Sequence, residues 1–153
     1  MTEIASSRRL AAIVVADVVG YSRLLEADEA GVLTALKQRW SGILEPVVQA
    51  HGGRVVKYMG DGALMEFSSA VNAVSAALAV QEKFAAANAS LPEDAWILLR
   101  IGINLGEVVG EGLDIFGEGV NIASRLEALA APGGLCISAN VLVEVTGKID
   151  GIF

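Results

Sequence analysis

Several features that often direct a function prediction are scarce in this sequence of 153 residues. Cys136 is the only cysteine, so no intramolecular disulfide can form, and a reducing, cytoplasmic location is predicted. The single histidine, His51, lies at the end of a predicted helix, where capping is the more ordinary role. Eleven basic residues stand against 18 acidic ones. The net charge of −7 argues against a nucleic-acid-binding surface but not against nucleotides, whose phosphates a metal can neutralise.

Long apolar runs are also missing. The segment 10–19, LAAIVVADVV, is far shorter than the roughly 20 residues that a membrane span needs. Arg8 and Arg9 before it imitate a twin-arginine signal peptide, but Asp17 interrupts the run and no small-residue cleavage site follows. The segment is therefore predicted to be the first core strand, and no membrane span is expected in this chain.

The most informative stretch is RVVKYMGDGALMEF, residues 54–67. Two apolar runs flank Gly60-Asp61-Gly62, and an Asp-Gly turn between such runs is a strong hairpin signal because a primed turn needs positive φ at its centre. Taken alone, Asp61 has two readings: it serves turn geometry only, or it carries chemistry. Asp17 favours the second reading, because a carboxylate within a buried strand is costly unless it is paired or binds a metal.

The rest of the chain alternates between strand and helix patterns. The predicted elements are a strand over 9–17, a helix over 28–50 capped by Asp28 and kinked at Pro46, the hairpin, a helix capped by Ser68 or Ser69, a strand over 96–104, a turn at Gly106 into a partner strand over 107–110, a helix over 120–131, a strand over 135–138 and a short helix over 141–146. This order predicts an α+β fold in one domain over residues 1–153: a mostly antiparallel, ferredoxin-like sheet with helices on one face.

Four motifs, in this order, resemble the catalytic domain of class III nucleotidyl cyclases, bacterial type. They are ADVVGYS at 16–22, KYMGDG at 57–62, GINLGEVV at 102–109 and DIFGEGVNIASRLE at 114–127. The resemblance covers nearly the whole chain and implies conversion of a nucleoside triphosphate to a 3′,5′-cyclic nucleotide and pyrophosphate. A diguanylate cyclase is disfavoured, because its acidic Gly-Gly-rich turn is absent from Met59-Gly60-Asp61-Gly62.

By this resemblance, Asp17 and Asp61 are expected to hold two divalent cations, Mg²⁺ or Mn²⁺, with the backbone carbonyl of Val18 completing one coordination shell. Both ions prefer hard oxygen ligands. The backbone amides of Val19, Gly20, Tyr21 and Ser22 are expected to cradle the phosphates, as a strand-to-helix junction can.

Lys57 and Asp114 match the family's base-selecting pair. A lysine donor and an aspartate acceptor complement N1 and N6 of adenine, whereas guanine favours an acceptor at the lysine position. The resemblance therefore favours ATP over GTP. The alternative is that Lys57 is an ordinary strand-edge lysine and Asp114 an ordinary loop acid.

Asn121 and Arg125 match the catalytic residues that position the ribose and stabilise developing phosphate charge; the alternative is an ordinary polar helix face. Lys57 lies four residues before Asp61, about 13 Å away on a strand. The resemblance implies a head-to-tail homodimer, in which Asp17 and Asp61 of one chain face Lys57, Asp114, Asn121 and Arg125 of the other. The short segment between Val109 and Asp114 makes the dimer geometry harder to predict.

Family members continue into a further strand pair with a triphosphate-binding lysine, and no residue up to Phe153 matches that lysine. The sequence therefore predicts that the C-terminal strands are missing. It also leaves open a catalytically idle module that dimerises or senses nucleotides. Fused or separate regulatory domains are further partners expected for a protein of this kind.

Overall fold

The computed structural model describes residues 6–149 as a single six-stranded sheet with helices packed against it. The elements are β1 (Ser6–Val18), α1 (Tyr21–Arg39), a π-helical turn (Trp40–Leu44), α2 (Glu45–Ala50), β2 (Arg54–Met59), β3 (Gly62–Phe67), α3 (Ala70–Asn88), a short 3-10 turn (Glu93–Ala95), β4 (Leu99–Glu111), β5 (Asp114–Phe116), α4 (Glu118–Leu129), β6 (Leu135–Ile137) and α5 (Ala139–Val145). The strand order is β2-β3-β1-β4-β5, with β6 also pairing with β4. All pairs are antiparallel except β4–β6, which confirms the predicted α+β, mostly antiparallel fold.

The sheet is buried on both faces, which explains why β1 reads as an unbroken apolar run. Ala12, Val14 and Ala16 face a large core that α1, α2, α3 and α5 cover. Ile13 and Val15 point the other way, into a smaller core. Successive strand residues alternate between faces, so both sets must be apolar when both faces are covered.

The prediction of helices on one face is therefore wrong in one element, because α4 packs on the second face. Ala123 of α4 belongs to the smaller core with Ile13 and Val15. At Gly102 of β4, a Cβ atom would lie 2.2 Å from the Glu127 nitrogen and 2.4 Å from the Ala123 carbonyl oxygen. Only glycine allows the helix backbone to approach the strand this closely.

The predicted turn at Gly106 is also wrong, since β4 runs without interruption from Leu99 to Glu111. Gly106 pairs with Ala11 of β1 inside the ladder. A Cβ there would lie 3.3 Å from the Cα of Gly119, so this glycine makes room for the first turn of α4. Local sequence could not distinguish close packing from a turn, because glycine serves both.

The helical region after β1 begins at Tyr21, inside the strand-to-helix junction predicted there, and continues into the helix predicted from Asp28. Asp28 has non-helical angles (φ −162°, ψ 83°) and marks a kink inside α1. Its Oδ1 atom accepts a hydrogen bond from the Gly31 N–H at 3.1 Å, so Asp28 does cap the second part of the helix. A kink is predicted at Pro46. The irregularity in the helix lies just before this residue, in the π-helical turn Trp40–Leu44, and Pro46 is in the first turn of α2. Within residues 6–149, no helix combines the length and apolarity that a membrane crossing demands.

Two local predictions are confirmed. The hairpin of β2 and β3 turns at Gly60 and Asp61, and Gly60 has the positive φ (62°) that such a turn needs. Ser69 caps α3, with its side chain accepting from the Asn72 N–H at 3.2 Å.

The sheet curls until its two end strands meet. Lys57 Nζ of β2 lies 3.1 Å from Asp114 Oδ2 of β5, and an Arg54 side-chain N–H donates to the Leu113 carbonyl at 2.8 Å. β2 and β5 are nevertheless the first and last strands of the β2-β3-β1-β4-β5 order. The smaller core lies inside this curl.

Candidate active site

Asp17 and Asp61 converge where β1 ends beside the hairpin turn. Asp17 pairs with Gly62 in the β1–β3 ladder, and the Val18 N–H donates to the Asp61 carbonyl oxygen at 3.2 Å. Burial, the charge of Asp61, a hydrogen bond with Asp61 and the charge of Glu127 together raise the pKa of Asp17 to about 6, and burial contributes most. A hydrogen bond from the Val18 N–H acts in the opposite direction. Among the described residues 6–149, no salt bridge reaches either acid, so the pair is a half-buried concentration of acidic groups.

This chemistry fits a divalent cation, because carboxylate oxygens are the ligands that Mg²⁺ and Mn²⁺ prefer. Between residues 6 and 149, no cluster of three or more His, Cys, Asp or Glu side chains is arranged to hold a metal. A cation here would therefore depend on the Asp17 and Asp61 carboxylates, with main-chain oxygen, such as that of Val18, and substrate oxygen completing its shell.

The N-terminus of α1 follows directly after the first of these acids. Gly20 has left-handed angles (φ 63°, ψ 36°), and no side chain caps the helix. The first N–H groups of a helix, here those of Tyr21 and Ser22, have no acceptor within the helix. An uncapped helix start attracts phosphate oxygens. The prediction for Val19 needs correction, because its N–H already donates to the Leu98 carbonyl at 2.8 Å.

Lys57 and Asp114 form an ion pair at the mouth of the curl. The Lys57 ammonium also lies 5.7 Å from the centre of the Phe116 ring. Burial raises the pKa of Asp114, but the Lys57 and Ile115 hydrogen bonds and the charges of Lys57 and Arg54 outweigh it, so the net pKa is lowered. The ionised pair is half-exposed and presents one donor and one acceptor side by side.

An irregularity in β2 orients Lys57. The register of β2 with β3 shifts between Val55 and Lys57, which inserts one residue, Val56, into the strand. As a result, Val56 and Lys57 are both directed toward the smaller core, with Lys57 beside Asp114. In a regular strand Lys57 would alternate with Val56 and point to the opposite face.

Asn121 and Arg125 both lie on the exposed side of α4. Arg125 contacts Glu118 at 3.4 Å, and both side chains are 68% exposed. Glu127, whose charge acts on Asp17, lies on the opposite side of the helix. At 3.6 residues per turn, Arg125 and Asn121 are about 160° and about 120° around the helix from Glu127. The structure therefore does not bring these two residues to the Asp17–Asp61 pair of the same chain.

Two residues near the acid pair were absent from the predicted site. Arg100 is paired with Asp17 in the β1–β4 ladder, and its Nε donates to the Ala130 carbonyl at 2.9 Å. Burial raises the pKa of Glu127, which Arg100 partly offsets and Asp61 reinforces. The sequence carries a signal for each: Arg100 is a cation inside an apolar strand, and Glu127 follows Ala123 by one helical turn.

Comparison with known families identifies the domain. The model of the family described as "Adenylate and Guanylate cyclase catalytic domain" matches residues 5–148. The chain belongs to this family. The resemblance inferred from the four motifs is thereby confirmed, and the chain is a class III cyclase domain.

Two bacterial relatives illustrate the similarity. The chain is 57% identical over 143 residues to "Putative adenylate cyclase 3" of Rhizobium meliloti (strain 1021), covering 94% of this chain and 24% of that protein. It is 38% identical over 143 residues to "Adenylate cyclase" of Streptomyces coelicolor, covering 94% of this chain and 36% of that protein. This cyclase domain thus spans about a quarter to a third of the length of these relatives.

Solved structures agree with the fold. The adenylate/guanylate cyclase/hydrolase of Silicibacter pomeroyi superposes with a TM-score of 0.90 at 40% identity, covering 95% of this chain and 85% of that one. The adenylyl cyclase CyaB of P. aeruginosa superposes with a TM-score of 0.82 at 25% identity, covering 95% and 84%. The curled sheet with helices on both faces is therefore shared with these cyclases.

Proposed function

We propose that this cyclase domain is an adenylate cyclase, which converts ATP to 3′,5′-cyclic AMP and pyrophosphate. The observation that carries the proposal is the convergence of Asp17 and Asp61 beside the uncapped start of α1. A binding site for a nucleoside triphosphate needs groups that hold cations and groups that bind phosphate. The acid pair can hold cations, and the N–H groups at the start of α1 can bind phosphate. The names of the relatives in Rhizobium meliloti and Streptomyces coelicolor support the same reaction.

In this proposal Asp17 and Asp61 hold two Mg²⁺ or Mn²⁺ ions. When bound, such ions lower the pKa of the ribose 3′-hydroxyl and neutralise charge on the departing pyrophosphate. The chain's own contribution is to keep two carboxylates close together, one at the end of β1 and the other in the adjacent hairpin turn. The amides of Gly20, Tyr21 and Ser22 orient the phosphates, and that of Val19 is left out because the sheet uses it.

Lys57 and Asp114 would select the base. Their ion pair presents an ammonium donor beside a carboxylate acceptor, which complements N1 and N6 of adenine. A guanine base would need the opposite arrangement at Lys57. The structure with ATPαS among the similar folds is that of a rhodopsin-guanylyl cyclase "with converted specificity"; at 23% identity, it supports the fold alone.

Asn121 and Arg125 would act on the substrate of a second copy of the chain. On α4 they face away from the acids of their own chain, so a complete site needs a partner that brings its acids to them. In a two-fold dimer the two chains would form two equivalent sites. Arg125 would then stabilise charge that develops on the transferred phosphate, and Asn121 would orient the ribose.

The relatives are about three to four times longer than the matched region, which supports additional domains in the complete protein. We propose that such domains regulate the cyclase. The free Cys136 is consistent with the reducing environment of the cytoplasm, where we place the domain.

The test is cyclic nucleotide formation from ATP and from GTP, each with Mn²⁺ and with Mg²⁺. We expect cyclic AMP from the wild-type chain, and a loss of about 100-fold or more in Asp61→Ala, because removing one carboxylate dismantles the cation site. Asp94→Ala, an exposed acid in the loop before β4, is the matched control and should retain activity.

Equal cyclic AMP formation by the wild type and Asp61→Ala, including none from either, would refute the proposal for this chain. The idle-module alternative would then take its place. Faster turnover of GTP than of ATP would refute the base assignment to Lys57 and Asp114, but not the cyclase chemistry.

A further inference from the structure

The hairpin that carries Asp61 is held to the helices by a side-chain contact outside the site described above. The Tyr58 hydroxyl donates a hydrogen bond to the Glu45 carboxylate at the start of α2. The Tyr58 ring also packs on Trp40, with centroids 5.6 Å apart. Burial and the bond to Glu45 raise the pKa of Tyr58, so it remains a neutral donor at physiological pH. The contact is therefore a hydrogen bond from a neutral hydroxyl to a carboxylate.

The outer side of the hairpin end borders a groove. β2 is the first strand of the sheet order, and within residues 6–149 no strand pairs with its outer edge. A groove of about 540 Å³ separates the hairpin from α1, and its walls include Tyr21, Leu33, Trp40, Tyr58 and Gly60. Met59 at the end of β2 is 41% exposed. Arg54 and Lys57 tie the first part of β2 to Leu113 and Asp114, whereas Tyr58 restrains the end nearest Asp61.

On its inner side, the turn is held by the sheet. The Val18 N–H donates to the Asp61 carbonyl, and Asp17 pairs with Gly62. These contacts fix the start of β3, and the end of β2 is joined to it at Tyr58–Ala63 and Met59–Gly62. The Tyr58 side chain also ties the β2 end to α2, three residues before Asp61. A small twist of the hairpin end would turn the Asp61 side chain relative to Asp17, because Asp61 lies in the turn and not in a strand.

We propose that Tyr58 and Glu45 are a positioning pair, which holds the hairpin so that the Asp61 carboxylate stays within cation-sharing distance of Asp17. Neither side chain touches the reacting atoms, and both act through Asp61. This inference rests on the proposed function only in taking Asp17 and Asp61 as cation ligands.

The experiment measures Mn²⁺ binding without nucleotide, by electron paramagnetic resonance, and then the Mn²⁺ dependence of cyclic AMP formation. Tyr58→Phe keeps the ring on Trp40 but loses the hydroxyl, and we expect Mn²⁺ to bind about threefold to tenfold more weakly. Glu45→Gln keeps an acceptor oxygen and should remain within about twofold of the wild type. Glu45→Ala should match Tyr58→Phe, and combining Tyr58→Phe with Glu45→Ala should add nothing further, since both remove the same bond.

Ser41→Ala is the control, because Ser41 borders the same groove but donates only to the Lys37 carbonyl of its own helix. It should bind Mn²⁺ like the wild type. All variants are compared well below their unfolding temperatures, so that loss of the fold does not enter.

Wild-type Mn²⁺ affinity in both Tyr58→Phe and Glu45→Ala would overturn the pair. So would additive losses in the double variant, or an equal loss in Ser41→Ala. A wild-type chain that binds Mn²⁺ but makes no cyclic AMP would refute the proposed function while leaving the positioning test intact.

Discussion

At the scale of single residues, the clearest electrostatic feature outside the site is Glu66, which two arginines share. Arg9 Nε contacts Glu66 Oε2 at 2.8 Å, and Arg54 contacts Glu66 Oε1 at 2.9 Å. The Glu66 side chain is only 11% exposed, whereas the arginines are 39% and 38% exposed. Glu66 on β3 thus links Arg9 on β1 to Arg54 on β2, on the face of the sheet that carries the smaller core.

Removing this acid should destabilise the fold. Glu66→Gln leaves two neighbouring guanidinium groups without their counter-charge, and we expect a loss of about 1–3 kcal/mol in the free energy of unfolding, discounted for the exposure of the arginines. Urea unfolding at neutral pH measures this loss of stability. Glu107→Gln, which removes the exposed partner of Arg8, is the control and should change stability by less than about 1 kcal/mol.

The stabilisation by Glu66 should also depend on pH. The hydrogen bond from Arg9 lowers the pKa of Glu66 below 4.5, burial opposes this, and Arg54 adds to the lowering. A lowered folded-state pKa means that the contribution is complete above pH 4.5 and declines as the pH falls through the folded-state value. The stability difference between wild type and Glu66→Gln should therefore shrink in acid. A constant difference down to about pH 3 would contradict this assignment.

The pKa of Asp17 is shifted in the opposite direction from that of Glu66. Its folded-state pKa of about 6 lies above the ordinary 3.8, so the free protein takes up a proton as the pH falls below about 6, and a cation must displace it. Mn²⁺ affinity should therefore be constant at higher pH and weaken by up to about tenfold per pH unit below 6. Calorimetric titration of the metal across this range provides the measurement. An affinity that does not change between about pH 5 and pH 7 would refute it.

At the scale of secondary-structure elements, the position of α4 depends on glycines in β4. Gly102 lets the strand backbone contact the backbone of Glu127 and Ala123, and Gly106 leaves room for the backbone of Gly119. This contact presents Asn121 and Arg125 on the outer side of α4 and Glu127 on the inner side. The site's geometry thus depends on two residues that have no side chain.

A methyl group at Gly102 should therefore push α4 off the sheet. We expect Gly102→Ala to lose about 1–3 kcal/mol of stability, because the added Cβ meets helix backbone that cannot rotate away. Gly42→Ala is the control, since a Cβ there has no heavy atom within 4 Å. Thermal unfolding of both variants tests this. Wild-type stability in Gly102→Ala would mean that α4 is not seated as closely as described.

At the scale of the whole molecule, the curl of the sheet divides the chain's functional groups into two sets. One set is the acid pair beside the start of α1; the other is Lys57 with Asp114, and the outer side of α4. In the proposed function, the second set does not all serve the acids of its own chain, since α4 directs Asn121 and Arg125 away from them. Function would therefore arise from two copies.

Mixing two inactive variants tests this arrangement. Asp61→Ala lacks one set and Arg125→Ala lacks the other, so only a mixed dimer contains a complete site. After co-refolding, we expect roughly a quarter of wild-type cyclic AMP formation, since half of the dimers are mixed and each has one complete site of two.

Each variant alone, at the same total concentration, is the control and should be almost inactive. A mixture that remains as inactive as its components would place both sets of residues in one chain's site.

What the sequence by itself determined was local. The Asp-Gly turn of the hairpin, the Ser69 cap and the four motifs each depend on neighbouring residues, because turns, caps and strand alternation are set within a few positions. The four motifs also identified the family, and the order of strands and helices predicted the α+β class. Asp17 became a candidate cation ligand because a charge within an apolar run is recognisable without coordinates.

Only the tertiary structure decided what depends on packing between distant segments. Gly106 reads as a turn locally, yet it lies within β4 because α4 needs the space above it. The sheet's curl and the extra residue at Val56 bring Lys57 to Asp114, 57 positions away. The Leu98 carbonyl accepts the hydrogen bond of the Val19 amide just beyond the ends of β1 and β4, and α4 covers a second face of the sheet. Each outcome follows from excluded volume and hydrogen-bond satisfaction across the folded chain, which no local pattern encodes.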